Sequence, residues 1–241
     1  MRGIEKKVIL ITVLMILSVM IIGSAFADPL GTGTLSPTGS ENGTADTAAG
    51  QITAVGGNVT NVDINSASIT GKWAGIYGAV TGSISLENAA GAVFYNWTMA
   101  TPSGEIYATR ESSTPSWGGI ACASGANVLA ESSALSLGSG ADNMTNTFCE
   151  SCGNFSTFSV GTTPITADTC TYRTNAFAEN GAQTTSWDQI LLYEGSHIVY
   201  TTIIDQDTTG FDGSSYDFQL LVGENSTAGT VTTYYIYVEI E

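Results

Sequence analysis

Positive charge and histidine are scarce in this chain of 241 residues. Six lysines and arginines stand against 22 aspartates and glutamates, and His197 is the single histidine. A chain with so few basic residues repels phosphate backbones, which argues against nucleic-acid partners. One histidine excludes hydrolases built on clustered histidine ligands, and any serine or cysteine triad would have to pass through His197. No Gly-x-Ser-x-Gly elbow and no phosphate-binding glycine loop is present either.

The N-terminus has the three parts of a secretory signal peptide. A basic start at residues 1–7 precedes an apolar run at 8–23, and Ser24-Ala25-Phe26-Ala27 supplies small residues at alternate positions. We therefore predict a signal peptide over residues 1–27, cleavage after Ala27 and an extracellular or cell-surface location. A retained membrane anchor stays open, because the apolar run approaches the roughly 18–20 residues that can span a bilayer.

Removal of this leader makes the protein more acidic. Lys72, Arg110 and Arg173 would remain against 21 carboxylates, and three minus 21 gives a net charge of −18. Such a protein attracts cations and is repelled by anionic membrane surfaces. We therefore expect membrane contact only through an uncleaved leader.

Composition divides the rest of the chain into two regions. Residues 28–50 are rich in Gly, Thr and Ser and predict a flexible segment, whereas apolar alternation from residue 51 to 241 predicts one β domain. The segment 123–137 favours a helix of one to three turns. The predicted fold class is all-β, a β sandwich or Greek-key barrel with at most one short helix. Strands are predicted at residues 58–64, 73–86, 92–99, 104–110, 155–160, 165–177, 189–193, 198–205, 216–222 and 230–240.

Four cysteines lie in the middle third of the chain, namely Cys122, Cys149, Cys152 and Cys170. In an exported protein an even number favours disulfides, and sequence alone cannot choose among the three possible pairings. A four-thiolate zinc site would normally show two Cys-x-x-Cys pairs, and only one is present. A redox pair would require a strand-to-helix junction, whereas Cys149 and Cys152 are in a predicted loop.

Carboxylates alternate in the segment 205–217, which ends in a glycine turn. Asp205, Asp207, Asp212 and Asp217 could surround calcium with oxygen ligands, and the acidic net charge would help. The segment fails the EF-hand pattern, since Tyr216 occupies the position of the bidentate glutamate. The alternative is a solvated hairpin turn in which Asp and Gly serve backbone geometry.

Two further kinds of site are suggested by residue type alone. Paired acids near aromatic residues would suit a glycosidase, and the candidates are Glu105, Glu111, Asp188 and Glu194. Asn-x-Ser/Thr sequons mark possible glycan sites at Asn42, Asn58, Asn96, Asn143, Asn154 and Asn225.

Four sequence motifs carry a resemblance to a known group of proteins. In order they are Trp73-Ala-Gly-Ile-Tyr-Gly, Phe94-Tyr-Asn-Trp97, Gly104-Glu-Ile-Tyr-Ala-Thr-Arg110 and Phe211-Asp-Gly-Ser-Ser-Tyr-Asp-Phe-Gln219. Together they resemble a family of secreted archaeal surface proteins without an established activity. More loosely, the chain is similar to archaeal thread-like pili, in which an N-terminal segment of one subunit completes the sheet of the next. That resemblance implies strand addition, with residues 51–64 as the candidate donor. The same segment could equally pair within its own domain, and the sequence leaves both alternatives open.

The sequence therefore favours a non-enzymatic structural or adhesive subunit of the cell surface, a filament or envelope component. Its expected partners are further copies of itself, or envelope proteins and glycans. The alternative is a secreted module that binds calcium or carbohydrate, and a glycosidase-like enzyme is third.

Overall fold

The computed structural model describes residues 28–44, 48–53, 55–179, 181–225 and 231–240, so the predicted signal peptide lies outside the described residues. No helix within these ranges is long and apolar enough to span a membrane. The strands are β1 (Leu30–Gly31), β2 (Trp73–Gly78), β3 (Gly82–Glu87), β4 (Val93–Met99), β5 (Gly104–Thr109), β6 (Ala121–Cys122), β7 (Phe158–Val160), β8 (Thr163–Ile165), β9 (Arg173–Phe177), β10 (Gln183–Tyr193), β11 (Ile198–Ile203), β12 (Thr208–Thr209), β13 (Ser215–Tyr216), β14 (Phe218–Gly223) and β15 (Tyr235–Ile240). The helices are α1 (Gly125–Ala134) and α2 (Met144–Thr147), and Trp117–Gly119 forms a single 3-10 turn.

One antiparallel sheet organises the protein. Its strands follow the order β1, β15, β5, β11, β10 and β6, and β9 pairs with β10 on the same side as β6. The strand β5 is buried along its whole length because β15 and β11 flank it on both sides. The last strand of the chain is therefore paired inside a sheet, as its clean alternation predicts.

The main sheet is covered on both faces, because its side chains alternate between two hydrophobic clusters. On β15, Ile236 and Val238 join the first cluster, whereas Tyr237 joins the second. The first cluster lies under the β2–β14 pair and α1, which contribute Leu220, Val222 and Val128. The second cluster lies under the β7–β8 hairpin and the turn at Trp117. This stacking of antiparallel strands confirms the all-β, sandwich-like fold.

The helix predicted within residues 123–137 is present as α1. The prediction of at most one short helix is wrong by one, because the Asn143 cap supports the one-turn helix α2 as well. Ser124 caps it, and the Asn127 side chain accepts from the Ser124 backbone N–H at 2.8 Å, which completes a capping box. On the helix, Glu131 accepts two hydrogen bonds from Arg110, through Nε at 2.9 Å and Nη2 at 2.5 Å. α1 is thus fixed both by its cap and by a bidentate ion pair to the sheet.

Three segments lie outside the regular pattern of the rest of the fold. The strand predicted at residues 58–64 is wrong for the single chain, since these residues form no strand and lie exposed. Alternation alone did not suffice there, because a strand needs a partner to satisfy its backbone groups. Upstream, Leu30 and Gly31 form β1 within the segment expected to be flexible. The β3–β4 hairpin pairs only internally, and Phe94 on it is 84% exposed.

Candidate functional site

The outer edge of β15 carries the only strand that the N-terminal segment forms in the described part of the chain. Leu30 pairs with Val238 and Gly31 with Tyr237. The Thr32 N–H continues this pairing by donating to the Ile236 carbonyl at 3.4 Å. β1 thus pairs with two of the six residues of β15, whereas β5 pairs with all six on the other side. Over the rest of its length, this edge of β15 is not paired with a strand in the described residues, and unpaired edges can accept a further strand.

The segment 51–64 offers apolar side chains to solvent. Its larger apolar residues are at least half exposed, and they are Ile52, Val55, Val59, Val62 and Ile64. Of these, Val59 is fully exposed and Ile64 is 87% exposed. Exposed apolar surface of this kind costs roughly 25 cal/mol per Å² relative to its burial. The segment would therefore gain stability from an apolar partner surface.

A groove of about 520 Å³ lies between the β2–β14 pair and the end of β9. Ile76, Leu220 and Leu221 contribute apolar surface to it, and residues 41–43 border it. Half-exposed aromatic rings, those of Tyr77, Phe177 and Phe211, are among its lining residues.

The aromatic rings of this groove are held in fixed positions. Tyr77 packs edge-on against Phe211, with ring centroids 4.9 Å apart, and against Tyr216 at 4.7 Å. The buried Gln219 side chain accepts from the Phe211 N–H at 3.0 Å and donates to the Phe177 carbonyl at 3.1 Å. Because one side chain anchors both aromatic positions, the groove is preorganised for a flat, partly apolar ligand.

Of the four aspartates proposed for calcium, Asp212 and Asp217 use their carboxylates to accept backbone N–H groups. Both carboxylate oxygens of the buried Asp217 accept N–H groups, from Val80 at 2.6 Å and from Asp207 at 3.0 Å. Asp212 accepts from the Ser214 N–H at 2.9 Å and from the Tyr216 hydroxyl at 2.9 Å, and the Ser214 N–H lowers its pKa. Asp205 donates its N–H to the Asp217 carbonyl. The structure does not gather the four into a group of three ligand atoms within 4.8 Å, and calcium there stays a prediction.

The acids considered for a glycosidase lie in three separate places. Glu105 is buried opposite Glu239 in the β5–β15 register, near the Tyr107 hydroxyl, whose pKa is raised by burial. Asp188 is buried on β10, where desolvation raises its pKa to about 6. Glu111 and Glu194 meet at His197, and the Ser113 N–H lowers the pKa of Glu111. No single cleft therefore gathers these four side chains.

The cysteines form two disulfides, Cys122–Cys170 and Cys149–Cys152. This pairing rules out the four-thiolate zinc site, because no thiolate remains in the described protein. The first bridge lies in the second hydrophobic cluster, with Cys170 fully buried. The second closes a loop next to the end of α2. Both disulfides fit a protein outside the reducing cytosol.

The sequons lie on the surface of the described residues. Asn42, Asn58, Asn96 and Asn154 are exposed, whereas Asn143 and Asn225 are partly buried. Asn143 also caps α2 by accepting from the Asn146 N–H at 2.8 Å, so a glycan there would have to spare that cap. Glycosylation stays a prediction.

All three cationic side chains outside the leader are used within the fold. Lys72 pairs with Asp142 at 2.8 Å, Arg110 with Glu131 and Arg173 with Asp168 at 3.6 Å. Because these pairs engage all three cations, the remaining acidic surface of the described residues favours cationic ligands.

Comparison with known proteins identifies no relative of this chain. No protein-family model matches it, and neither a curated protein nor a solved structure is significantly similar.

Proposed function

We propose that this protein is an exported structural subunit of the cell surface that assembles into a filament or envelope layer by strand addition. Residues 51–64 of one copy are the donor strand, and the outer edge of β15 in a second copy is the acceptor. The single observation that carries the proposal is β1, because the N-terminal segment of the chain already pairs with that edge over two residues.

Geometry and chemistry support this choice of donor and acceptor. β15 is six residues long, and the alternating stretch 58–64 is long enough to cover it in place of β1. Backbone hydrogen bonds would supply affinity, and alternate side chains would set the register. A donor strand with Val62 and Ile64 on one face would bury side chains that are exposed in the single chain. The two disulfides are compatible with the extracellular location that the proposal requires.

Strand addition predicts oligomers that depend on residues 51–64. We expect the protein without its leader to form concentration-dependent oligomers in size-exclusion chromatography with light scattering, and a chain beginning at Asn65 to be monomeric. Because that truncation also removes β1, the sharper variant is Val62→Pro, which removes one donor N–H and restricts the strand. It should abolish assembly, whereas Ala49→Pro, outside the donor, should not.

Each sample is measured with calcium and with a chelator, and its folding is checked by circular dichroism. Ala49 and Val62 are exposed and lie outside the strands, so neither substitution should unfold the β domain. Monomers of the wild-type protein under every condition would contradict the proposal. Assembly that survives Val62→Pro would contradict the choice of donor.

A second candidate function, carbohydrate binding, is favoured by the aromatic groove. Exposed rings beside polar groups such as Gln219 and Asn42 are typical of sites that stack on sugar rings. On a glycan array and in titration calorimetry, Tyr77→Ala and Phe211→Ala should each weaken any binding at least about tenfold. The matched control is Phe94→Ala on the exposed β3–β4 hairpin, which should leave the affinity unchanged. Equal loss in the control, or no bound glycan, would exclude this function.

A further inference from the structure

Three neighbouring strands end in a Glu-His-Glu row. The turn between β10 and β11 places Glu194 opposite His197, and the Glu194 N–H donates to the His197 carbonyl. On the other side of β11, the pairing of Val199 with Thr109 continues outward and brings Glu111 opposite His197. Side chains directly opposite on antiparallel strands have Cβ atoms about 4.5–5.5 Å apart. The register therefore places a carboxylate on each side of the imidazole.

The side-chain atoms converge to ligand spacing. Nδ1 of His197 lies 3.0 Å from Oε2 of Glu111 and 3.8 Å from Oε1 of Glu194. One potential ligand atom from each residue lies within 4.8 Å of the other two, which is true of no other such group among the described residues. Ligand bonds of 2.0–2.1 Å in a tetrahedron separate the ligand atoms by about 3.3 Å. The observed distances lie on both sides of that value.

Both carboxylates are oriented by hydrogen bonds. Oε1 of Glu194 accepts N–H groups from Ser196 at 3.0 Å and from His197 at 2.7 Å. Oε1 of Glu111 accepts from the Ser113 N–H and hydroxyl, both at 2.9 Å, and Oε2 faces the imidazole. Such hydrogen bonds hold ligating carboxylates in place and are typical of metal sites.

The imidazole provides a second, independent observation. Nδ1 of His197 is shielded from solvent and lies close to both carboxylates, at 3.0 Å from Glu111 Oε2 and 3.8 Å from Glu194 Oε1. A shielded ring nitrogen between two carboxylates suits a lone pair shared with a cation.

We propose that Glu111, Glu194 and His197 bind a divalent transition-metal ion of the zinc class. An imidazole ligand favours zinc over calcium or magnesium, which prefer all-oxygen sets. His197 also borders a pocket of about 230 Å³ that Arg110, Asn127 and Tyr193 help to line. Three protein ligands beside such a pocket leave a coordination position for water or a small anion. The site links the ends of β5, β10 and β11.

The test is titration of the chelator-treated protein with zinc chloride by calorimetry, with excess calcium present to occupy exposed carboxylates. We expect one zinc per chain, and a melting temperature that rises roughly 5–10 °C at a hundredfold excess over Kd. His197→Gln and Glu111→Gln should each weaken zinc binding at least about tenfold. Glu87→Gln, on the exposed β3–β4 hairpin, is the matched control and should bind zinc as the wild type does.

A spectroscopic readout keeps the proposal testable if a variant fails to fold. Because His197 is the single histidine, the imidazole nitrogen signals of the wild-type protein belong to one residue. Stoichiometric zinc should shift the Nδ1 resonance, and calcium should not. Unaltered imidazole signals with zinc, or zinc affinity that survives His197→Gln, would overturn the proposal.

Discussion

Removal of the Cys122–Cys170 disulfide should destabilise the protein far more than removal of Cys149–Cys152. The first bridge joins residues 48 apart in sequence, and the second joins residues three apart. In the chain-entropy description, loops of these lengths correspond to about 4 and about 2 kcal/mol of unfolding free energy. The difference arises because a long loop restricts the unfolded chain more.

Packing adds to this difference. Cys170 is fully buried in the second hydrophobic cluster, whereas Cys149 and Cys152 are partly exposed. The long-range bridge also ties β6, through Cys122, to the segment just before β9, and both strands pair with the same side of β10. Loss of the bridge therefore removes a covalent constraint from this edge of the main sheet in the folded protein. It also increases the conformational entropy of the unfolded chain.

Urea denaturation of two double variants measures the effect. We expect C122A/C170A to lose about 4 kcal/mol or more, equivalent to roughly 8–16 °C in melting temperature, and C149A/C152A to lose about half as much. Peptide mapping of the oxidised wild-type protein provides the independent check on pairing. Equal losses in the two variants, or a peptide linking Cys122 to Cys149, would contradict the arrangement described above.

The second large effect is a loss of stability as pH rises from about 4 to 6, caused by Asp188. This side chain is 4% exposed, and its carboxylate accepts from the Asn175 amide at 2.6 Å and the Ser156 N–H at 3.1 Å. Desolvation outweighs these hydrogen bonds and raises its pKa from 3.8 to about 6.

The sign follows from proton binding. Between pH 4 and 6 the folded state holds a proton on Asp188 that the unfolded state has lost, so rising pH favours unfolding. Below pH 4 both states are protonated and this cost is absent. Above pH 6 both are ionised, and the full cost of about 3 kcal/mol is present.

Unfolding free energies of the wild type and Asp188→Asn, measured in urea from pH 3.5 to 8, test this dependence. The variant should gain about 3 kcal/mol relative to the wild type between pH 4 and 7, because an amide does not ionise. The hydrogen bond that Asp188→Asn loses lowers the unfolding free energy of the variant by the same amount at every pH. Asp212→Asn is the control with the opposite sign, since the depressed pKa of the exposed Asp212 gives stability that is lost as pH falls. Parallel curves for wild type and Asp188→Asn would refute the assignment.

Local sequence patterns predicted most of the regular structure. The alternation of Tyr234, Ile236, Val238 and Ile240 predicted one face of β15, and those residues pack against the first cluster. The alanine, leucine and glutamate content of residues 123–137 predicted α1, whereas the Ser124 cap became apparent only in the structure. The strand at residues 58–64 was predicted wrongly because the same alternation has no partner in the described chain. A strand forms only when a second segment pairs with it, and the alternation within one segment does not show whether such a partner exists.

The candidate sites depend on contacts between residues that are distant in sequence, which local patterns do not contain. The aspartates of the 205–217 loop were prominent in sequence because they are neighbours, yet the carboxylate oxygens of Asp217 accept the N–H groups of Val80 and Asp207. The groove and the Glu-His-Glu row passed unnoticed because Tyr77 and Phe211, or Glu111 and His197, are far apart in the chain. No local signal could have found them.

The sequence by itself determined the all-β class, the acidic character, the helix-forming region at residues 123–137 and the presence of an even set of cysteines. Each depends on composition or on periodicity within one segment, where backbone geometry and side-chain burial act over a few residues. The tertiary structure alone decided which cysteines pair, which carboxylates are buried and which stand beside His197. These outcomes depend on strand order and register, which bring together residues separated by tens of positions and set the solvent exposure of each.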